Sequence, residues 1–154
     1  EIEKHQEEVL QEQELNNLLS QKKMLKALRL ALNLNRPYMT LKIINSVIKS
    51  QEAGLEETIQ KLSDDHKQLL LQHAVNWNTN SKNCRPAQLV FSVMMQEIVT
   101  GKYRVEGLEK IIEESLPYSD RHFKRMTEYL KDLKFVEYTM KCMQPYGGDV
   151  AMQL

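Results

Sequence analysis

No apolar run in the sequence approaches the roughly 20 residues a membrane-spanning helix needs, and no signal peptide opens it, so neither a span nor a secretory leader is expected. Cysteine is scarce. Cys84 and Cys142 stand far apart, without metal-ligand spacing and without the makings of a disulfide framework, which fits a reducing compartment. Charge of neither sign prevails, because Lys and Arg number 21 and Asp and Glu number 21. With no overall field to draw in nucleic acid or a membrane surface, such binding must come from a local patch. Alternation with period two, the mark of a half-buried strand, is missing as well. What remains is a chain of 154 residues, 42% hydrophobic, sufficient for one buried core and patterned almost throughout with helical period. Its first residue is Glu, so an excised piece of a longer protein is expected.

The balanced charge is zoned. Residues 1–15 carry six Glu against Lys4, whereas residues 21–50 carry seven basic residues and no acid. Residues 1–20 have good helix propensity but a thin apolar stripe, which predicts an exposed lead-in helix or linker before a helical domain over 21–143. Apolar positions from Met24 to Leu34 cover more than half the circumference of a helix, so that element should be largely buried. Pro37 suits the first turn of the next helix and disfavours helical backbone at Arg36. After Gly54 a short amphipathic segment leads to Ser63, Asp64 and Asp65, a cap and two carboxylates suited to the positive end of a helix dipole. The stripe His66, Leu69, Leu70, His73, Ala74, Trp77 then sets the only tryptophan on the core side of the last turn. Asn78, Thr79, Asn80 and Ser81 follow as a polar reversal, and Asn83 as the cap of a helix over about 86–100 that is central to the core.

Gly101 ends that helix. Val105, Leu108, Ile111, Ile112 and Leu116 form the next stripe, Leu116 to Asp120 read as an interruption, and Ser119 reads as the cap of a last helix. There Phe123, Met126, Leu130, Leu133, Val136 and Met140 form the face expected to meet the core. Phe135 and Tyr138 project elsewhere, so they either meet a second helix of the same domain or mark a protein interface. From residue 144 a flexible tail is expected. The sum is an all-α fold, an antiparallel array of about seven or eight helices without internal repeats.

Candidate chemistry is thin. His66 and His73 lie seven apart on one face, but no third ligand falls beside them, so they read as histidines bordering a core stripe. Asp64 and Asp65 diverge on a helix and are explained by capping. Cys84 has no base nearby, and Gly147 and Gly148 lack the strand and helix of a phosphate loop. No catalytic residue, metal or cofactor is expected. Lys22, Lys26 and Arg29 form a basic ridge, with Lys23 beside it and Arg121, Lys124 and Arg125 further on. These are candidate contacts for RNA phosphates or for acidic partner helices, or else a solvated face partly neutralised by the Glu-rich start.

Three stretches, NRPYMTLKII (35–44), WNTNSKNCRPAQLVF (77–91) and LPYSDRHFKR (116–125), together resemble the C-terminal helical domain of the transducin beta-like WD-repeat proteins, nucleolar subunits of the small-subunit processome. The resemblance runs from about Leu15 to about Met143. Asn35 departs from it, since an acidic residue is more usual there, and the tail matches nothing in it. The resemblance implies a domain that follows β-propellers and assembles related WD-repeat subunits on pre-ribosomal RNA in the nucleolus. Its partners would then be those subunits, with pre-ribosomal or small nucleolar RNA as a further candidate, and no membrane. Direct RNA binding through the basic ridge is the alternative.

Overall fold

The computed structural model describes residues 2–50 and 54–144, leaving out the side chains of residues 2–5, 7 and 8. Seven helices run through the described residues: α1 Ile2–Ser20, α2 Met24–Asn33, α3 Pro37–Lys49, α4 Leu55–Gln60, α5 Asp64–Asn78, α6 Cys84–Val99 and α7 Leu108–Met143. The chain divides into two compact units, residues 1–119 and residues 120–154, and α7 runs through the boundary. The tail expected from residue 144 lies, from 145 onward, outside the described residues.

In the first unit α5 packs on α6 and α2 on α3, with α2 also touching α1 and α5, and α3 and α4 touching α6. Ala27, Leu28, Ala31 and Leu32 of α2 are all buried, as the wide apolar arc predicts. They meet Ile43, Ile44 and Val47 of α3, Leu70, Leu71, Ala74 and Trp77 of α5, and Ala87, Val90, Phe91 and Met94 of α6 in one cluster. Each buried Val, Leu, Ile, Phe or Met among them contributes about 1.5–3 kcal/mol by leaving water, which makes this cluster the main source of stability. The thin stripe of α1 also reaches it: Leu15 is 1% exposed, and Leu18 and Leu19 pack against the cluster.

Three helix ends close in the same way. After α1, Lys23 N–H reaches Leu18 O and Lys22 N–H reaches Leu19 O; after α2, Arg36 N–H reaches Ala31 O and Asn35 N–H reaches Leu32 O; after α6, Lys102 N–H reaches Glu97 O and Gly101 N–H reaches Ile98 O. This paired closure needs a left-handed residue at its centre, supplied here by Lys22 (φ 56), Asn35 (φ 48) and Gly101 (φ 73). Asparagine is among the non-glycine residues that best tolerate that conformation, which gives Asn35 a physical rationale. Pro37 then occupies the first turn of α3.

Three expectations require correction. Ser63 and Asn83 precede α5 and α6, but neither side chain caps its helix. Ser63 Oγ pairs instead with His66 Nδ1 at 2.8 Å. The buried face of α5 is also turned from the expected stripe, because Lys67 is buried and its ammonium lies 2.8 Å from Glu97 on α6. Lys67 further sits 5.4 Å from the centre of the Tyr103 ring. The Tyr103 hydroxyl is shared between the Gln68 side chain and the Asp64 carbonyl, and burial, with the Asp64, Asp65 and Glu97 carboxylates adding to it, pushes its pKa up to about 12. Such a pair is weak evidence for stability, but removing one partner would strand a buried charge.

The third correction concerns α7, which is one helix of 36 residues with Pro117 inside it, where an interruption and a fresh start at Ser119 were expected. An interior proline lacks the N–H that would bond the carbonyl four residues back, here that of Glu113, and opposes a helix by roughly 3 kcal/mol. The surrounding contacts must offset that penalty.

Candidate functional site

Trp77 closes the buried face of α5, 5% exposed, with its ring stacked on that of His73 at 6.2 Å between centres. Burial holds the His73 imidazole below its ordinary pKa. The polar residues behind the tryptophan divide their work. Thr79 Oγ1 donates to the Asn76 carbonyl and Asn80 Oδ1 accepts from Lys82 N–H, as a helix-ending reversal requires. Asn78 behaves differently from that expectation. It is fully buried, and its Nδ2 donates to the Ser115 carbonyl at 3.2 Å and to Ser119 Oγ at 3.1 Å. Gln88 of α6 completes the arrangement, its Nε2 donating to Asn78 Oδ1 at 2.9 Å and to Ser119 Oγ at 2.7 Å. Ser119 is thus an acceptor for α5 and α6. Asn78→Ala would strand these groups, and it should lower stability by about 1–3 kcal/mol in chemical denaturation of the chain.

In the second unit, the expected core face of the last helix lies in solvent. Phe123 is 70% exposed, Leu130 59% and Leu133 63%, and Met126, Val136 and Met140 are exposed too. That expectation is overturned, because the apolar period of α7 continues beyond the residues with which the first unit's core is built. Tyr129 and Met143 add to the same side, and their exposure could not be read from the pattern. Phe135 and Tyr138, placed away from that stripe by the 100° step of a helix, are 70% and 67% exposed. One stretch of helix therefore shows water an apolar stripe and, elsewhere on its circumference, two further aromatic rings. Soluble chains rarely leave so much contiguous apolar surface uncovered unless it binds something.

The basic candidates are distributed, and Arg29, Lys124 and Arg125 are engaged. Lys22, Lys23, Lys26 and Arg29 are exposed on and before α2, but Arg29 donates to the Lys61 carbonyl at 2.6 Å and so staples α2 to the end of α4. Lys26 and Arg29 share an open hollow with Glu14, a poor arrangement for phosphate. On α7, Lys124 pairs with Asp120 at 2.9 Å and Arg125 contacts His122 Nδ1 at 3.0 Å, with Arg121 exposed nearby. His66 bridges Ser63 and Asn33, apart from the buried His73. Among the described residues no group of three or more His, Cys, Asp or Glu side chains is placed to hold a metal ion, and no helix is long and apolar enough to cross a membrane. The buried Lys67–Glu97 pair escaped the sequence reading. The available signal was Glu97 itself, a charge standing three residues after Met94 and seven after Val90, in line with the buried stripe.

Comparison with known families matches residues 12–143 to the Utp13-specific WD40-associated domain. The chain belongs to that family. Among the relatives of this Utp13-specific domain are Transducin beta-like protein 3 of Homo sapiens and of Mus musculus, each 38% identical over 138 residues, covering 88% of this chain and 17% of theirs. U3 small nucleolar RNA-associated protein 13 of Saccharomyces cerevisiae is 27% identical over 160 residues, covering 91% of this chain and 20% of its own. The chain thus spans about a fifth of the length of these curated relatives. The resemblance carried by the three quoted stretches is thereby confirmed. The second and third of those stretches meet in the Utp13-specific domain, since Asn78 and Gln88 belong to one and Ser119 to the other.

Proposed function

We propose that this domain is a protein–protein assembly module of a nucleolar WD-repeat subunit acting in small-subunit ribosome biogenesis and pre-ribosomal RNA processing, and that it docks onto related WD-repeat subunits through the distal half of α7. The observation that carries the proposal is the run of exposed apolar side chains from Phe123 to Met143. The relatives support the setting: one is named for association with U3 small nucleolar RNA, and the family is described as WD40-associated. A helix with apolar side chains on more than one side suits insertion between partner helices. We assign no catalysis to the domain, because His66, His73 and the buried Lys67–Glu97 pair have structural engagements. The basic ridge supports RNA contact less well, since Arg29 is committed to Lys61 and Glu14 faces the same hollow.

The test is capture from nuclear extract, with nuclease treatment and with identification of the proteins retained. Processome WD-repeat subunits should be retained after nuclease treatment. Phe135→Ala should weaken their binding by about 2 kcal/mol, the scale of a central aromatic anchor, while circular dichroism melting stays unchanged. Reversing the charge of Lys22 and Lys26 should matter less. Capture that vanishes with nuclease would instead establish RNA as the ligand, and capture that survives nuclease but vanishes with those two reversals would move the protein interface to the basic ridge.

A further inference from the structure

The segment 116–120 carries two incompatible instructions. Pro117 disfavours helical backbone at Leu116 and removes a donor, while Ser119 followed by Asp120 is a suitable start for a separate helix. Left to local preference, this stretch would break after about Ser115 and restart at Ser119. The structure shows a continuous α7 instead. On either side of the proline, two residues before it and two after it, the helix is held from outside. The Ser115 carbonyl and Ser119 Oγ both accept from Asn78 Nδ2, and Ser119 Oγ also accepts from Gln88 Nε2, which is anchored in turn on Asn78 Oδ1. Asn78 has no exposure to water, so these bonds are not in ready exchange with solvent. Ser115 Oγ is itself buried without a partner among the described residues, so the site tolerates one unsatisfied hydroxyl in the present arrangement.

We propose that Asn78, Gln88 and Ser119 form a clamp that keeps α7 helical through Pro117, and that α7 is a two-state element. Clamped, it is one helix. Released, Ser119 leaves the two amides and becomes the N-cap of a separate distal helix beginning near Asp120. The two uses of Ser119 Oγ compete, because engagement with the backbone N–H groups of its own next turn draws it away from Asn78 and Gln88. Asn78, Gln88 and Ser119 are positioning residues in this account. Its relevance to assembly rests on the docking function proposed above, but helix continuity is measured without any partner.

The experiment is amide hydrogen exchange on the 154-residue chain, followed by peptide-level mass spectrometry. In the unaltered chain, amides of residues 118–122 should exchange as slowly as those of 124–130. With Asn78→Ala and Gln88→Leu together, exchange at 118–122 should accelerate roughly tenfold or more beyond the rise that the lost stability gives the middle of α6, while 126–134 rises no more than α6 does, as expected for local opening. Adding Pro117→Ala to that variant should restore the protection, because alanine keeps the helix without a clamp. General destabilisation of the core would not be repaired in this way. Unchanged exchange at 118–122 would overturn the proposal. So would a uniform rise along the whole chain that Pro117→Ala leaves in place. If the clamp behaves as stated while substitutions on the exposed face of α7 leave capture intact, the docking function fails and the clamp stands.

Discussion

Aspartate at both Leu130 and Leu133 is expected to abolish capture of the related WD-repeat subunits, a loss of roughly a hundredfold or more in affinity, while the substituted chain melts close to the parent. The two side chains lie three apart on the exposed stripe, 59% and 63% accessible, with Met126, Tyr129 and Val136 around them. A carboxylate buried there against a partner helix would lose its water without gaining a counter-charge, which costs several kcal/mol, and each 1.4 kcal/mol is tenfold in affinity. In the free domain the same carboxylates remain hydrated, and surface substitutions of this kind change stability by only about 0.5 kcal/mol. Circular dichroism melting paired with quantitative capture separates the two effects. A large drop in melting temperature would mean that this stripe belongs to the domain's own core, as the sequence pattern alone suggests.

Trp77→Ala should have the largest effect on folding, about 3–5 kcal/mol, the usual scale for emptying a large aromatic site. The indole fills the end of α5 between the core cluster and the His73 ring. Its loss would also loosen the neighbouring Asn78, through which α5 holds α7. Urea unfolding followed by circular dichroism measures the loss directly. Native tryptophan emission checks the premise, because a buried indole emits to the blue of one in water. Emission at the solvent position, or an unchanged unfolding midpoint in the variant, would show that the ring anchors nothing.

Local chemistry made the first unit largely legible from its sequence. Helical period marked α2, α3 and α6, and Pro37 and Gly101 marked boundaries that the structure retains. Trp77 fell on the buried side because a stripe at three- and four-residue spacing carried it there. What local chemistry could not convey was tertiary override. Pro117 and Ser119 locally spell a break, yet amides from Asn78 and Gln88, 37 and 31 residues away from their acceptors, hold the segment in a helix. Lys67 is polar by type and buried by virtue of Glu97, a partner on another helix. The stripe from Phe123 to Met140 illustrates a different limit. Periodicity reveals that a helix has an apolar face, but it is silent on whether that face meets its own domain or another molecule. Phe135 and Tyr138 are set apart from that face by helix geometry alone, and because the stripe is as exposed as they are, exposure does not separate the two sides.

Hydrogen exchange on the assembled complex, compared with the free protein, tests the docking function most directly. Docking through the distal half of α7 predicts that amides of residues 122–143 become strongly protected on assembly, while those flanking Lys22, Lys26 and Arg29 exchange as before. Protection confined to residues 21–30, with residues 122–143 exchanging as fast in the complex as in the free protein, would contradict it.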